Sequence, residues 1–243
     1  MADRLHVRAR GPVTDIVFDN PPINIYDVAT RDELCDVLSA LIADSTTRVV
    51  VFRARGEHFS AGADLREFGT APSLFAMRDA RWGRDVWGLL RAVPVPMIAS
   101  MHGNAVGFGF ELALQCDYRI VADDCVVALP ETRIGMIPAG GATQTLGRVA
   151  GTAAALHAIL TSDRIGAVDA YRRGFVDEVV PRTELASATD ARAAAIATRP
   201  TSAVRAAKAL VWAALDQPIA EGLAREADLT AVLHRAPLDV VEE

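Results

Sequence analysis

Glu111 is the only charged side chain in the run Ala105-Val106-Gly107-Phe108-Gly109-Phe110-Glu111-Leu112-Ala113-Leu114-Gln115-Cys116. An unpaired carboxylate costs several kcal/mol to bury, so a chain that folds around this run must give Glu111 a partner or a purpose. Gly107 and Gly109 allow close backbone approach, and the residues that follow read as a helix. A glycine-rich entry to a helix presents unpaired N–H groups and the positive end of the helix dipole to whatever lies in front. Oxyanion donors with a carboxylate one turn behind them are the parts of a proton-transfer site.

With 243 residues, 51% of them hydrophobic and 23% charged, the chain has the length and composition for a well-packed globule. A net charge of −6 argues against a general affinity for nucleic acid or an anionic membrane. Arg78, Arg81, Arg84 and Arg91 cluster on an expected amphipathic helix and read as its solvated face rather than as a phosphate-binding patch. Cys35, Cys116 and Cys125 have no metal-ligand or C-x-x-C spacing, which fits buried, reduced thiols. The first residues carry no apolar signal core and no run is long enough to span a bilayer, so a soluble, cytoplasmic protein is expected.

Residues 5–9 and 14–18 read as two short strands joined at Gly11-Pro12, and Pro21-Pro22-Ile23-Asn24 as a loop. Thr30 is expected to cap a helix with Glu33 completing a capping box, and Leu34, Val37, Leu38, Leu41 and Ile42 form its apolar stripe. A buried strand over 49–52, a long helix over 74–93, a strand over 97–101, the Glu111 helix and strands over 118–121 and 126–129 follow. Strands alternating with helices predict an α/β architecture. After Gly140-Gly141 the chain turns alanine-rich and helical, over 150–160, 167–173, 183–197 and 201–215, interrupted only by a strand at 176–180. Helices this poor in bulky residues often pack on another chain. The division expected is 1–150 as the core that holds the site and 151–243 as a helical region.

Gly107-Phe108-Gly109 lacks the third glycine of a dinucleotide fingerprint, no lysine completes a phosphate loop, and His58-Phe59-Ser60-Ala61-Gly62 is one glycine short of a nucleophile elbow. The five histidines do not pair at metal-ligand spacing, and His102 reads as a satisfied structural histidine. Small residues beside acids remain. Ala61-Gly62-Ala63-Asp64 forms a turn before a short helical stretch, with Asp64 as its N-cap or first-turn acid and the Ala63 N–H free of side-chain bulk. Glu131 follows Pro130 in a loop hemmed by apolar residues, where desolvation can raise a carboxyl pKa; a surface ion pair with Arg133 is the competing reading.

Three segments in this order carry a resemblance: Phe59-Ser60-Ala61-Gly62-Ala63-Asp64-Leu65, His102-Gly103-Asn104 through Glu111-Leu112-Ala113, and Pro130-Glu131 through Gly140-Gly141-Ala142-Thr143-Gln144. Over residues 5–215 the chain resembles the crotonase superfamily, whose best-known members are the enoyl-CoA hydratases and isomerases. The resemblance implies a spiral of ββα repeats followed by helices that build a trimer, often a dimer of trimers. It implies an acyl-CoA thioester whose carbonyl oxygen is held by the backbone N–H groups of Ala63 and Phe108, with the Phe108 ring narrowing the acyl pocket. Glu111 and Glu131 map onto the glutamate pair of the hydratases. Arg66 maps onto a residue that meets CoA phosphate and Ala61 and Leu65 onto the adenine end, while Asp64 and Gly107 complete the binding set. No metal or redox cofactor is implied, CoA being part of the substrate.

Departures from the pattern are Thr145, where relatives often carry arginine, and the chain end at Glu243, where the usual terminal helix that closes the CoA pocket and braces the trimer is missing or replaced. The implied chemistry adds water at Cβ and a proton at Cα of a 2-enoyl thioester, with Glu131 as the acid and Glu111 as the base that activates water. Rival readings stay open: an isomerase, hydrolase or decarboxylase on the same scaffold, or a non-catalytic acyl-CoA-binding subunit.

Overall fold

The computed structural model describes residues 4–73 and 83–234. Strands β1 (Leu5–Arg10) and β2 (Val13–Phe18) form an antiparallel hairpin, helix α1 (Val28–Ala43) crosses over, and β3 (Val49–Ala54) joins β2 in parallel. After α2 (Val86–Ala92), β4 (Met97–Met101) pairs with β3, and β6 (Tyr118–Ala122) with β4, both in parallel. With β9 (Glu178–Val180) the sheet runs β1-β2-β3-β4-β6-β9. Between β4 and β6 the chain makes β5 (Asn104–Val106) and α3 (Phe108–Leu114). β5 leaves the large sheet and pairs with β7 (Val126–Ala128), which pairs with β8 (Ile165–Gly166) in a second sheet. The expected mixed α/β architecture is observed.

Val49, Val50, Val51 and Phe52 are all fully buried, as expected for a parallel strand covered on both faces. Val50 and Phe52 join the main core with Leu34 and Leu38 of α1 and with Phe110 and Leu112 of α3. Val49 and Val51 face the opposite way, with Ile98 and Ile120, against Leu185, Ala193 and Ala197 of α7 (Leu185–Ala197). The alternation of strand side chains thus divides one sheet between two cores. Cys35, Cys116 and Cys125 are free and buried.

Several local expectations are corrected. Asp27, not Thr30, is the N-cap of α1 and accepts the Thr30 N–H at 2.9 Å. Glu33 reaches away from any capping box to accept the N–H groups of Arg4 and Leu5 at 2.9 and 3.1 Å, fastening β1 to α1. Of the expected helix over 74–93, residues 74–82 lie outside the described residues, Arg78 and Arg81 with them. Gly83 and Arg84 form a turn and the helix begins at Val86, because Arg84 is drawn to Asp32 and Asp36 on α1 instead of extending a solvated helical face. The helix expected over 150–160 is observed as α5 (Thr152–Thr161), and Gly151, at φ +86°, separates it from the unexpected helix α4 (Ala142–Ala150). Strand β8, the short α6 (Ala167–Arg172) and the last helices α8 (Thr201–Ala213) and α9 (Ile219–Leu233) complete the chain.

Helix α8 has no fully buried residue, yet it is pinned to the core through Asp117. That carboxylate accepts Trp212 Nε1 at 2.6 Å, Lys208 Nζ at 2.8 Å and the Met97 N–H at 2.7 Å. Lys208 also donates to the Val95 carbonyl at 2.8 Å. Replacing Asp117 with Ala removes three donors' partner in a half-buried setting, at an expected cost of about 3 kcal/mol. Urea unfolding and limited proteolysis check this, with cleavage expected first between α7 and α8; unchanged stability and unchanged cleavage would show that the pin holds nothing.

Candidate active site

Two glycine turns meet back to back. Gly62 (φ +101°) and Gly107 (φ +51°) both adopt left-handed backbone, and a Cβ on Gly62 would stand 3.1 Å from the Val106 carbonyl oxygen and 3.8 Å from the Gly107 Cα. Only glycine permits this approach with this dihedral. The turns are stitched to their surroundings by single bridges, Tyr26 to Ala63 and Ser60 to Ala105. Tyr26 donates to the Gly62 carbonyl and accepts from the Asp64 N–H, at 2.9 and 2.8 Å, so the Ala63 N–H faces away from that pairing. Phe108 opens α3, where an N–H has no partner within the helix. Neither the Ala63 nor the Phe108 N–H donates to an acceptor among the described residues. Each follows one of the opposed glycines.

Helix α3 lies close on Ser60: a Cβ on Gly109 would be 2.7 Å from the Ser60 Cβ. Ser60 is itself fully buried, donating to the Asn24 carbonyl at 2.7 Å and accepting the Gly62 N–H at 3.2 Å, the duties of a structural hydroxyl. The Phe108 ring is stacked on Tyr26 at 3.5 Å between centroids, with Trp87 at 5.6 Å and Phe18 edge-on at 6.4 Å.

Glu111 is 5% exposed, and its Oε1 accepts the Gly140 N–H at 2.6 Å and the Ala142 N–H at 3.3 Å. A buried carboxylate therefore meets the N–H groups at the start of α4, which complement its charge. The chain from Glu131 approaches the same place from the other side. Glu131 begins a single 3-10 turn (Glu131–Ile134) after β7, and its Oε1 would lie 2.8 Å from a Cβ on Gly107. The missing side chain of Gly107 is thus the space that the Glu131 carboxyl occupies. Glu131 Oε2 is buried with no hydrogen-bond partner, and no ion pair with Arg133 forms among the described residues. Burial raises the Glu131 carboxyl above its ordinary value.

The remaining expected residues line one edge. Asp64 caps the short turn Leu65–Glu67, accepting the Arg66 N–H at 2.9 Å, and pairs with the Arg66 guanidinium at 2.7 Å. Arg66 is largely exposed beside the exposed Leu65, and Ala61 is half-buried. His102 donates to or accepts from nothing catalytic: its Nε2 contacts the Gly56 carbonyl at 3.1 Å, and burial lowers its pKa. Among the described residues no group of three or more His, Cys, Asp or Glu side chains could hold a metal ion. Sequence reasoning missed Tyr26, Trp87 and Gln115. Gln115 had a signal, since it is the other polar side chain in the Glu111 run, four residues on and on the same helical face.

The sequence profile of the enoyl-CoA hydratase/isomerase family matches residues 8–236. The enoyl-CoA hydratase of Bacillus anthracis is 32% identical with a TM-score of 0.90, over 96% of this chain and 92% of that one. DspI of Pseudomonas aeruginosa is 31% identical with a TM-score of 0.90, over 97% of both chains. The enoyl-CoA hydratase of Mycobacterium smegmatis is 27% identical with a TM-score of 0.90, over 96% of this chain and 92% of that one. The mixed α/β fold with its parallel-rich sheet matches these crotonase-fold neighbours. The chain belongs to the enoyl-CoA hydratase/isomerase family.

The raised pKa of Glu131 has a sign that can be measured. A carboxyl whose folded pKa exceeds its unfolded value contributes its full stability below the unfolded value and loses it as pH rises through the folded one. Glu131→Gln, neutral at every pH, should therefore melt higher than the parent at pH about 8, with the difference vanishing near pH about 4. Thermal unfolding at both pH values checks this; a lower melting temperature for the variant at the higher pH would overturn the desolvation account.

Proposed function

We propose that the protein is an enoyl-CoA hydratase that adds water reversibly across the double bond of a 2-enoyl-CoA thioester. The observation that carries the reading is a pair of differently housed glutamates, Glu131 with its carboxyl against the Gly107 Cα and Glu111 one turn along the helix that Gly107 opens, its carboxylate held by the Gly140 and Ala142 N–H groups. The Gly107 carbonyl accepts the Glu111 N–H at 2.8 Å, and the Gly107 Cα faces the Glu131 carboxyl. The Ala63 and Phe108 N–H groups, without an acceptor among the described residues, would hold the thioester oxygen as it gains negative charge. Losing one such donor typically costs about 10²–10³ in rate. Glu131, whose carboxyl is disposed to keep its proton, would protonate Cα, and Glu111 would orient water and accept its proton. In the return direction the roles reverse. Arg66, with Asp64 beside it, would meet a CoA phosphate at the exposed edge, with Ala61 and Leu65 toward the adenine and Gly107 against the acyl thioester.

The retention of two acids favours hydration over double-bond isomerisation, for which one proton carrier suffices. Glu111→Gln and Glu131→Gln should each lower hydration of crotonyl-CoA by about 10²–10⁴-fold with KM little changed. Solvent-isotope exchange at Cα should fall most in Glu131→Gln, and water addition most in Glu111→Gln. Full hydration by both variants would refute the mechanism; loss in Glu131→Gln alone, with isomerised and no hydrated product, would establish an isomerase.

We further infer that the chain works as a homotrimer or hexamer in the cytoplasm. Leu160, Val168, Tyr171, Ile219, Leu223 and Val232 are exposed on the helices after Gly151, and α9 has no buried residue. Apolar area of this kind is stabilised by burial against another copy. Sedimentation equilibrium should give a trimer or hexamer at micromolar concentration, and a clean monomer would overturn the inference. Among the described residues no helix is long and apolar enough to cross a membrane.

A further inference from the structure

Gln115 occupies the C-cap of α3 and is 4% exposed. Its Nε2 donates to the Gly140 carbonyl at 3.2 Å, while the N–H of the same Gly140 donates to Glu111 Oε1 at 2.6 Å. One residue is therefore gripped through both its N–H and its carbonyl by side chains from a single helix. A third contact closes the grip. A Cβ on Gly140 would stand 2.3 Å from the Trp87 ring, so the indole lies directly on the Gly140 Cα. Next to it, Gly141 has φ +105°, and a Cβ there would meet Gln115 Nε2 at 2.7 Å. Two glycines accept a ring and an amide at distances that no side chain would allow.

This grip has a cost. Gln115 Oε1 is buried and meets no hydrogen-bond donor among the described residues. An unsatisfied buried amide oxygen is destabilising, and Met or Leu would fill the space without the penalty. The packing of α3 alone gives no reason for an amide here, whereas the Gly140 carbonyl does.

We propose that Gln115 is a positioning residue: its amide, with the Trp87 ring, fixes the Gly140 peptide so that the Gly140 N–H holds the Glu111 carboxylate in its working orientation. The inference rests on the reading of Glu111 as the base of the hydration reaction. Glu111 sits on α3 and its carboxylate must be aimed at water, and its orientation is set by the Gly140 N–H from the segment before α4. Gln115 couples the two, since it belongs to the helix and grips the loop. Without it the Gly140 carbonyl loses its partner, the residue's φ and ψ are restrained only by the Trp87 ring, and the N–H drifts from Oε1.

Gln115→Met keeps the approximate volume and deletes the donor. Two measurements separate the positioning role from simple packing and from the reaction itself. In substrate-free protein, the Gly140 amide proton, followed by NMR on nitrogen-labelled glycine, should exchange with solvent faster in the variant than in the parent. With crotonyl-CoA, kcat should fall about 10–100-fold while KM stays within about twofold, the pattern of a misaimed group rather than a lost binding contact. In a Glu111→Gln background the same substitution should add little further loss, because the group it aims is already disabled. Equal fold-losses in both backgrounds, or a Gly140 amide and kcat unchanged from the parent, would overturn the proposal. If the parent hydrates no enoyl-CoA but the Gly140 amide still responds to Gln115→Met, the grip stands and the hydratase reading falls. Gln115→Leu serves as the second variant should Gln115→Met not fold.

Discussion

The hydrogen bond from the Gly140 N–H to the Glu111 carboxylate is the contact that makes the rest of this site possible. A carboxylate at 5% exposure inside an apolar helix is tolerable only with strong, well-directed donors. Those donors come from Gly140 and Ala142 at the entry to α4, 29 and 31 residues further along the chain. The bond therefore decides where the loop after Glu131 must run, and that path in turn brings the Glu131 turn against Gly107. One charge in the core dictates the course of a whole segment.

Glycine supplies the geometry that the charges require. Gly62 and Gly107 let two backbones touch, Gly109 lets α3 settle on Ser60, and Gly140 admits the Trp87 ring. A methyl group would crowd the Val106 carbonyl at Gly62 and collide with the Glu131 carboxyl at Gly107, the Ser60 side chain at Gly109 and the Trp87 ring at Gly140. At the centre of the site backbone takes the place of side chains, so N–H groups can serve as donors without any side chain being ordered. The sheet beneath, buried on both faces by α1, α3 and α7, holds the turns rigid.

Much of this was legible in the chain. The lone charge at Glu111, the glycines before it and the strand at Val49–Phe52 all speak through local pattern, because burial and backbone freedom constrain residue type directly. The capping of α1 was misread because Asp27 and Thr30 offer the same chemistry three residues apart, and Glu33 was claimed by the chain start, a contact no local rule encodes. Gln115 and Trp87 were missed for a related reason. Each acts on Gly140, a residue far off in sequence, and an amide or an indole in an apolar helix is compatible with plain core packing until the partner's position is known. Helix α8 was legible, expected over 201–215 and observed at Thr201–Ala213, whereas α9 went unread because its Ile219, Leu223 and Val232 are exposed and no buried stripe marks it.

The two glutamates differ through their surroundings rather than their chemistry. Glu111 faces N–H dipoles that stabilise negative charge, whereas Glu131 sits in a desolvated pocket with one oxygen unpartnered, an environment that favours the proton. In the proposed reaction that asymmetry assigns the base and the acid before substrate arrives, as happens wherever two carboxyls are housed unequally. It also explains why the unpaired state of Glu131 is tolerable: the protonated carboxyl costs far less to bury than the ionised one.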